Sequence, residues 1–203
     1  ALPDALNKAP RRPDVGDTLV FDTQKGDASV KAIPLDTIVR DNLATGVGLT
    51  SLTLDPERGM LYAVSKLLSY VFVIDIRDET HPRVMSIFPV PDPPEGYSHK
   101  NFCERGGRFG PHNQHHAQGL DCLEDREDRI YLTYFNAGLR IYDLTDPVRP
   151  FEIAHYIPAD PEERLGMLPK TLVTQSEDVL VDRRGYIYVT DKNHGLHILR
   201  STV

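Results

Sequence analysis

The stretch that most restricts the possible folds of this chain runs from Arg129 to Pro158, RIYLTYFNAGLRIYDLTDPVRPFEIAHYIP. Ile130 to Phe135, Leu139 to Leu144 and Phe151 to Ile157 are rich in β-branched and aromatic residues, the composition of strands. Asn136-Ala137-Gly138 between the first two is a turn signal, because Asn and Gly tolerate positive φ. Thr145 to Pro150 separates the second from the third. Its two prolines each fix φ and remove a backbone donor, so a β-ladder must stop there. Three short antiparallel strands are the expected result.

The same order of strands and turns recurs along the chain. Thr50 to Leu54, Met60 to Ser65, Tyr70 to Ile76 and Arg83 to Val90 read as a four-stranded meander, broken at Asp55 to Gly59, at Asp78 to Pro82 and at Pro91. Ala117 to Leu123, then a Glu124 to Asp128 turn, precedes the three strands above. Ser176 to Val181, Tyr186 to Thr190 and Gly195 to Leu199 start the order again. Asp22, Asp75 and Asp143 each end an apolar run, at steps of 53 and 68 residues. Asp78 and Asp146 lie 68 apart, as do Pro82 and Pro150. Tyr131 and Tyr188, Leu139 and Leu196, and Ile141 and Ile198 are each 57 apart. Unequal steps imply a common unit with loops of different length. Strands such as Val71-Phe72-Val73-Ile74 are apolar on both faces, so both faces must be covered. Stacked four-stranded units covering one another are the blades of a β-propeller, an all-β fold.

The expected organisation is an irregular lead-in over 1–17 and a partial blade over 18–48, with strands at Thr18 to Asp22 and Val30 to Ile33. Pro34 to Gly48 reads as a loop with a helical turn near Leu35 to Val39. A blade over 49–91, a long loop over 92–116, a blade over 117–158 and a terminal partial blade over 176–200 follow. Asp160 to Leu168 reads as a short surface helix. Three units and one partial unit fall short of the ~4–8 blades of closed rings. The expectation is an incomplete ring that another chain or a further segment completes, with a small irregular four-bladed ring as the alternative.

Gly138-Leu139-Arg140-Ile141-Tyr142-Asp143-Leu144-Thr145-Asp146-Pro147 followed by Pro150 resembles the LVIVD-repeat β-propeller proteins, whose blades carry a GLxVxDVSDPxxP signature. Val71 to Pro82 is a looser copy lacking the glycine and the first proline, and His194 to Leu199 is a truncated one. The resemblance covers about residues 45–200, the span of the repeats. It implies the propeller fold and says little of function. A fainter likeness is to the selenium-binding protein and methanethiol oxidase propellers, which as a family use histidines for copper.

The densest polar constellation is Arg108-Phe109-Gly110-Pro111-His112-Asn113-Gln114-His115-His116-Ala117-Gln118-Gly119, placed by the repeat just before an innermost strand, where a loop opens on the central channel. Neutral imidazoles at short spacing suit zinc, copper or iron, so His112, His115 and His116 are the candidate metal ligands. In an extended chain His115 and His116 point to opposite sides, so all three cannot hold one ion. The competing account is that these side chains satisfy backbone groups where the loop turns. Glu177 and His194 lie in equivalent loops of the last unit and are candidate catalytic groups; a carboxylate there is equally a solvated turn residue. Cys103 and Cys122 could form a disulfide, stay as thiols or join a metal site.

A net charge of −7 argues against nucleic acid or an anionic membrane as main partner. No apolar run reaches the ~20 residues of a spanning helix. Ala1-Leu2-Pro3-Asp4 lacks the basic and apolar regions of a signal peptide, which leaves the compartment, periplasmic or secreted included, open. P-loop, G-x-S-x-G, EF-hand and zinc-finger spacings are missing from the sequence. Two functions of different class follow. One is a metal-dependent enzyme acting on a small molecule in the funnel. The other is a non-catalytic scaffold that binds a protein through an exposed apolar patch near Tyr97, Phe102 and Phe109.

Overall fold

A computed structural model of the chain describes residues 19–21, 30–32, 49–65, 69–164 and 170–203. The expected lead-in over 1–17 and the loop with its helical turn over 34–48 lie outside these residues. In chain order the described strands are β1 (Leu19–Phe21), β2 (Val30–Ala32), β3 (Leu49–Asp55), β4 (Met60–Ser65), β5 (Tyr70–Asp75) and β6 (Arg83–Ile87), then β7 (Gln114–His115), β8 (Arg129–Thr133), β9 (Leu139–Asp143) and β10 (Phe151–Tyr156), and finally β11 (Ser176–Val181), β12 (Tyr186–Asp191) and β13 (Gly195–Arg200). One short helix, α1 (Phe102–Arg105), interrupts the long loop between β6 and β7. The fold is all-β. β1 and β2 pair as a hairpin, and the other strands form three antiparallel meanders: a first sheet β3-β4-β5-β6, a second sheet β7-β8-β9-β10 and a third sheet β11-β12-β13.

The aspartates that mark the repeat work as turn formers. Asp75 Oδ1 accepts from the Arg77 N–H at 3.0 Å and Asp78 Oδ1 from the Thr80 N–H at 3.0 Å. Asp143 and Asp146 do the same for Thr145 at 2.8 Å and Val148 at 3.1 Å. Each pair is two successive Asx turns, which carries the chain from the third strand of a sheet to its fourth. Bulges recur as well. The first strand of the first sheet slips between Leu49 and Ser51, and that of the third sheet between Ser176 and Asp178.

Two expected elements are replaced. Ala117 to Leu123 is not a strand: Gly119 has φ 64°, and the Leu123 N–H closes a turn on Leu120 O at 2.9 Å. The first strand of the second sheet is the two-residue β7 instead, so His115 sits in that strand, with His112 before it and His116 just after it. Residues 160–164, the described part of the expected surface helix, are not helical.

The second sheet lies between the other two. On one side Tyr62, Val64, Val71, Val73 and Phe88 meet Ile130, Leu132, Tyr142 and Leu144. Phe88 sets its ring edge-on to Tyr62 at 5.9 Å and to Tyr142 at 5.1 Å. On the other side Tyr131, Leu139 and Ile141 meet Val179, Val181, Ile187 and Val189. The two faces of β8 and β9 therefore feed two cores, which is why Arg129–Thr133 is buried at every position. Burying each large apolar side chain contributes about 1.5–3 kcal/mol.

The first hairpin of each sheet carries the same acid–arginine–tyrosine cluster. Tyr62 donates its hydroxyl to Asp55 Oδ2 at 3.0 Å, and Arg58 Nε donates to the same oxygen at 2.5 Å. Tyr188 donates to Asp182 Oδ2 at 3.0 Å, with Arg184 on the same carboxylate. Tyr131 has Glu124 and Arg129 beside its hydroxyl; burial above all raises its pKa to about 12. The arginine then reaches forward to the next sheet. Arg58 donates to Leu144 O and Glu127 O of the second sheet, and Arg129 to Val203 O just past the third at 3.0 Å.

Candidate functional site

The turns that join the second and third strands of the last two sheets meet the start of β7 and β11 at one end of the stack. Phe135 is central there. It holds φ 45°, a left-handed conformation costly for an aromatic side chain. Its carbonyl accepts from Gly138 N and Ser176 N, both at 3.0 Å. It thus closes its own turn and ties the second sheet to the third. Asn136, fully buried, donates through Nδ2 to Phe102 O and Gly106 O, each at 2.7 Å, and so holds α1 over the turn. Gln175 is likewise buried: its Oε1 accepts from Arg108 N at 3.0 Å and its Nε2 donates to Arg108 O at 3.2 Å.

Asp191 is the polar hub. Its Oδ2 accepts from Thr174 Oγ1 at 2.5 Å, Gln175 N at 2.6 Å and Ser176 Oγ at 3.4 Å. Its Oδ1 accepts from Asn193 N at 2.8 Å and His194 N at 3.2 Å. A buried carboxylate is costly unless so many donors face it. The carboxylate fixes the strand start and the facing turn relative to each other.

His112 and Glu177 are brought together, although not as acid and base. His112 Nδ1 sits 2.8 Å from Glu177 O, a backbone carbonyl, so Nδ1 is the donor of this bond. The ring packs 4.8 Å from that of Phe135. Thr133 Oγ1 donates to the same carbonyl at 2.7 Å. The Glu177 carboxylate instead pairs with Lys192 at 2.7 Å, with both side chains part-exposed.

His115 and His116 lie in separate cores. His115 is edge-on to Tyr131 at 5.9 Å, in the junction with the third sheet. His116 is edge-on to Tyr62 at 5.6 Å, in the junction with the first. His116 Nε2 is 3.0 Å from Glu127 O, while its Nδ1 and both nitrogens of His115 are buried without a hydrogen bond of ordinary geometry. The Glu124 backbone lies close enough to His115 to favour its proton, but less than burial opposes it. His194 stands apart from these, its Nδ1 3.9 Å from Asp191 Oδ1 and its ring 5.1 Å from that of His197. Among the described residues no three His, Cys, Asp or Glu side chains converge as a metal-holding group. Cys103 and Cys122 are both free and exposed.

The patch expected at Tyr97, Phe102 and Phe109 is not on the surface. Phe102 is 2% exposed, and the other two are half-buried against the same core as Tyr62 and Leu132. Phe102 stacks on Phe109 at 5.7 Å and takes Arg140 over its face at 5.1 Å. An aromatic cluster in a loop reads as exposed until a helix such as α1 folds it under, and Asn101, whose Oδ1 accepts from Glu104 N at 2.9 Å, is the N-cap signal that marks the helix. The Asp191 hub was signalled only by a polar run, Thr174-Gln175-Ser176, before an apolar strand.

A cavity of about 630 Å³ runs between β3 and the chain following β7, with Gln114 and His116 in its wall. Four carboxylate residues, Asp55, Glu57, Asp125 and Glu127, line it without a Lys or Arg. Its potential disfavours anionic ligands. Among the described residues no helix is long and apolar enough to cross a membrane. No protein-family model and no curated protein matches the chain.

The two buried histidines give a pH prediction. Burial, the largest cause, lowers the pKa of both His115 and His116 below the ordinary 6.5. The unfolded chain takes up these protons first as pH falls, so stability is full above about 6.5 and is lost below it, by at most ~1.4 kcal/mol per pH unit for each ring. The urea midpoint is expected to fall between about pH 7.5 and 5.5, and His116→Phe to flatten that fall. A midpoint independent of pH would contradict this. Asp75 and Asp182 act elsewhere: their arginine partners lower both to about 2, so what they contribute is present above the ordinary carboxylate range and lost only as pH drops toward 2.

Proposed function

We propose that the three meanders are blades of a β-propeller of the LVIVD-like kind, and that the protein works as a non-catalytic scaffold that binds protein. The observation that carries this is the separation of the histidines. His112 is tied to a backbone carbonyl, and His115 and His116 serve two different sheet junctions. Their roles are those of packing and turn formation. Large apolar side chains meanwhile stand exposed on the outer sheets, Leu52 and Leu54 on the first, Leu196 and Ile198 on the third. Exposed apolar side chains grouped on a sheet face suit a protein contact.

The second reading is the metal-dependent enzyme. One observation favours it: imidazole nitrogens buried without a hydrogen-bond partner, at His115 and at His116 Nδ1, are unusual and suit an ion such as zinc, copper or iron. Elemental analysis of protein purified without chelator or His tag separates the two. The scaffold predicts well under about 0.1 metal per chain and no tight uptake of added zinc or copper. About one ion per chain, lost in His115→Ala or in His116→Ala while the fold persists, would replace the scaffold with the enzyme.

A further inference from the structure

We propose that two copies of this chain pair head to tail, the third sheet of each covering the first sheet of the other. The proposal rests on the blade reading above and identifies the protein partner as a second copy.

One junction is used twice inside the chain. In the first sheet Val71 and Val73 face the second sheet, 1% and 0% exposed. Their counterparts in the second sheet, Leu139 and Ile141, face the third and are 1% and 4% exposed. The counterparts in the third sheet are Leu196 and Ile198, 57 residues further on, and they are 55% and 59% exposed. Register places Ile198 beside Tyr188, and Tyr188 beside Leu180, on that same outer face. Tyr188 corresponds to Tyr62 and Tyr131, which both lie inside junctions. The third sheet thus presents a face built for a following sheet.

The first sheet presents the complementary face. Val179 and Val181 of the third sheet, which receive the second sheet, pair with Val189 and Ile187 and are buried. The corresponding residues of β3, Leu52 and Leu54, pair with Ala63 and Leu61. They are 59% and 58% exposed. The arginine latch follows the same rule. Arg58 and Arg129 reach the next sheet, whereas Arg184 engages Asp182 and Tyr188 of its own hairpin. In the pair its target is the carbonyl of Ile76 of the second copy, which follows Asp75 as Leu144 follows Asp143.

The size is right for a stable pair. With strands of five to six residues, a four-stranded face measures roughly 350 Å² and a three-stranded face roughly 260 Å². Two such junctions cover about 1,200 Å², at the lower bound for specific association. A head-to-tail contact closes as a ring only if its rotation allows, and two sets of three sheets fall inside the ~4–8 blades of closed rings.

The test is the solution mass of the full chain from about 1 to 50 µM by sedimentation and light scattering. A dimer is expected. Leu196→Glu/Ile198→Glu and Leu52→Glu/Leu54→Glu should each weaken it at least about 100-fold, and Arg184→Ala about 10-fold. All five side chains are on the surface of the monomer, so far-UV spectra and cooperative unfolding should be kept, with the midpoint lowered only by the stability that association itself supplies. If a glutamate pair unfolds the chain, the corresponding serine pair replaces it. A wild-type monomer overturns the proposal, as does a dimer that survives either double substitution or a mass that grows into longer polymers. Those results leave the scaffold itself standing, since metal content decides it separately.

Discussion

Gly138→Ala is expected to lower stability by at least about 3 kcal/mol, enough to remove most of a typical domain's margin. Gly138 holds φ 76° in the β8–β9 turn, where its N–H donates to Phe135 O and its carbonyl accepts from Tyr134 N at 2.7 Å. The left-handed backbone alone costs alanine about 1–2 kcal/mol. The larger effect is steric. A Cβ here would stand 2.1 Å from Tyr156 O and 3.0 Å from Ile157 Cα. Both atoms are backbone, and Tyr156 is paired with Leu139 across the β9–β10 ladder, so relief means breaking that pairing. Gly185→Ala is the control. It has φ 81° but nothing within 4 Å of its Cβ, so only the conformational cost of about 1 kcal/mol remains. Urea midpoints of the two variants should differ clearly; equal midpoints would show that close approach is not what requires Gly138.

Asp191→Ala should cost about 4 kcal/mol or more. It strands the buried N–H groups of Gln175 and Asn193 and the Thr174 hydroxyl, and each unsatisfied buried donor costs ~1–3 kcal/mol. Asp191→Asn keeps one acceptor oxygen and the shape, and should cost about half as much. Asp143→Ala, which removes an Asx-turn acceptor from an exposed position, should stay near 1 kcal/mol or below. Hydrogen exchange locates the effect: the Gln175 and Asn193 amides should lose protection ahead of those in β4 and β5. Uniform loss across the sheets would mean that Asp191 is not a local fastener.

These two positions also mark what the sequence could and could not tell. Gly138 was legible, because Asn-Ala-Gly between two apolar runs has few other uses. The strand order and the turns that hold the paired aspartates were legible for the same reason, since local chemistry sets them. His115 and His116 pointing to opposite sides followed from the period of an extended chain alone. Asp191 was not legible as a hub, since its two local partners, the Asn193 and His194 amides, are those of any turn acid, while Thr174, Gln175 and Ser176 come from a strand start fifteen or more residues away. The expected strand at Ala117 to Leu123 does not form because Gly119 takes a positive φ that breaks the run. The aromatic patch at Tyr97, Phe102 and Phe109 failed because α1 is one turn long. So short a helix has no periodicity to read, and its cap and the Asn136 side chain that pins it are not adjacent in sequence.

The forward-reaching arginines grip main-chain oxygens, those of Leu144, Glu127 and Val203. Every residue has such an oxygen, so the fastening places no demand on the identity of the residue it holds. A unit can therefore drift in sequence at its receiving edge, or be swapped for a sister unit, without losing its grip on its neighbour. What it must keep is the path of its backbone. That is a physical route by which arrays of this kind diverge until only turn residues and alternating apolar positions still resemble one another.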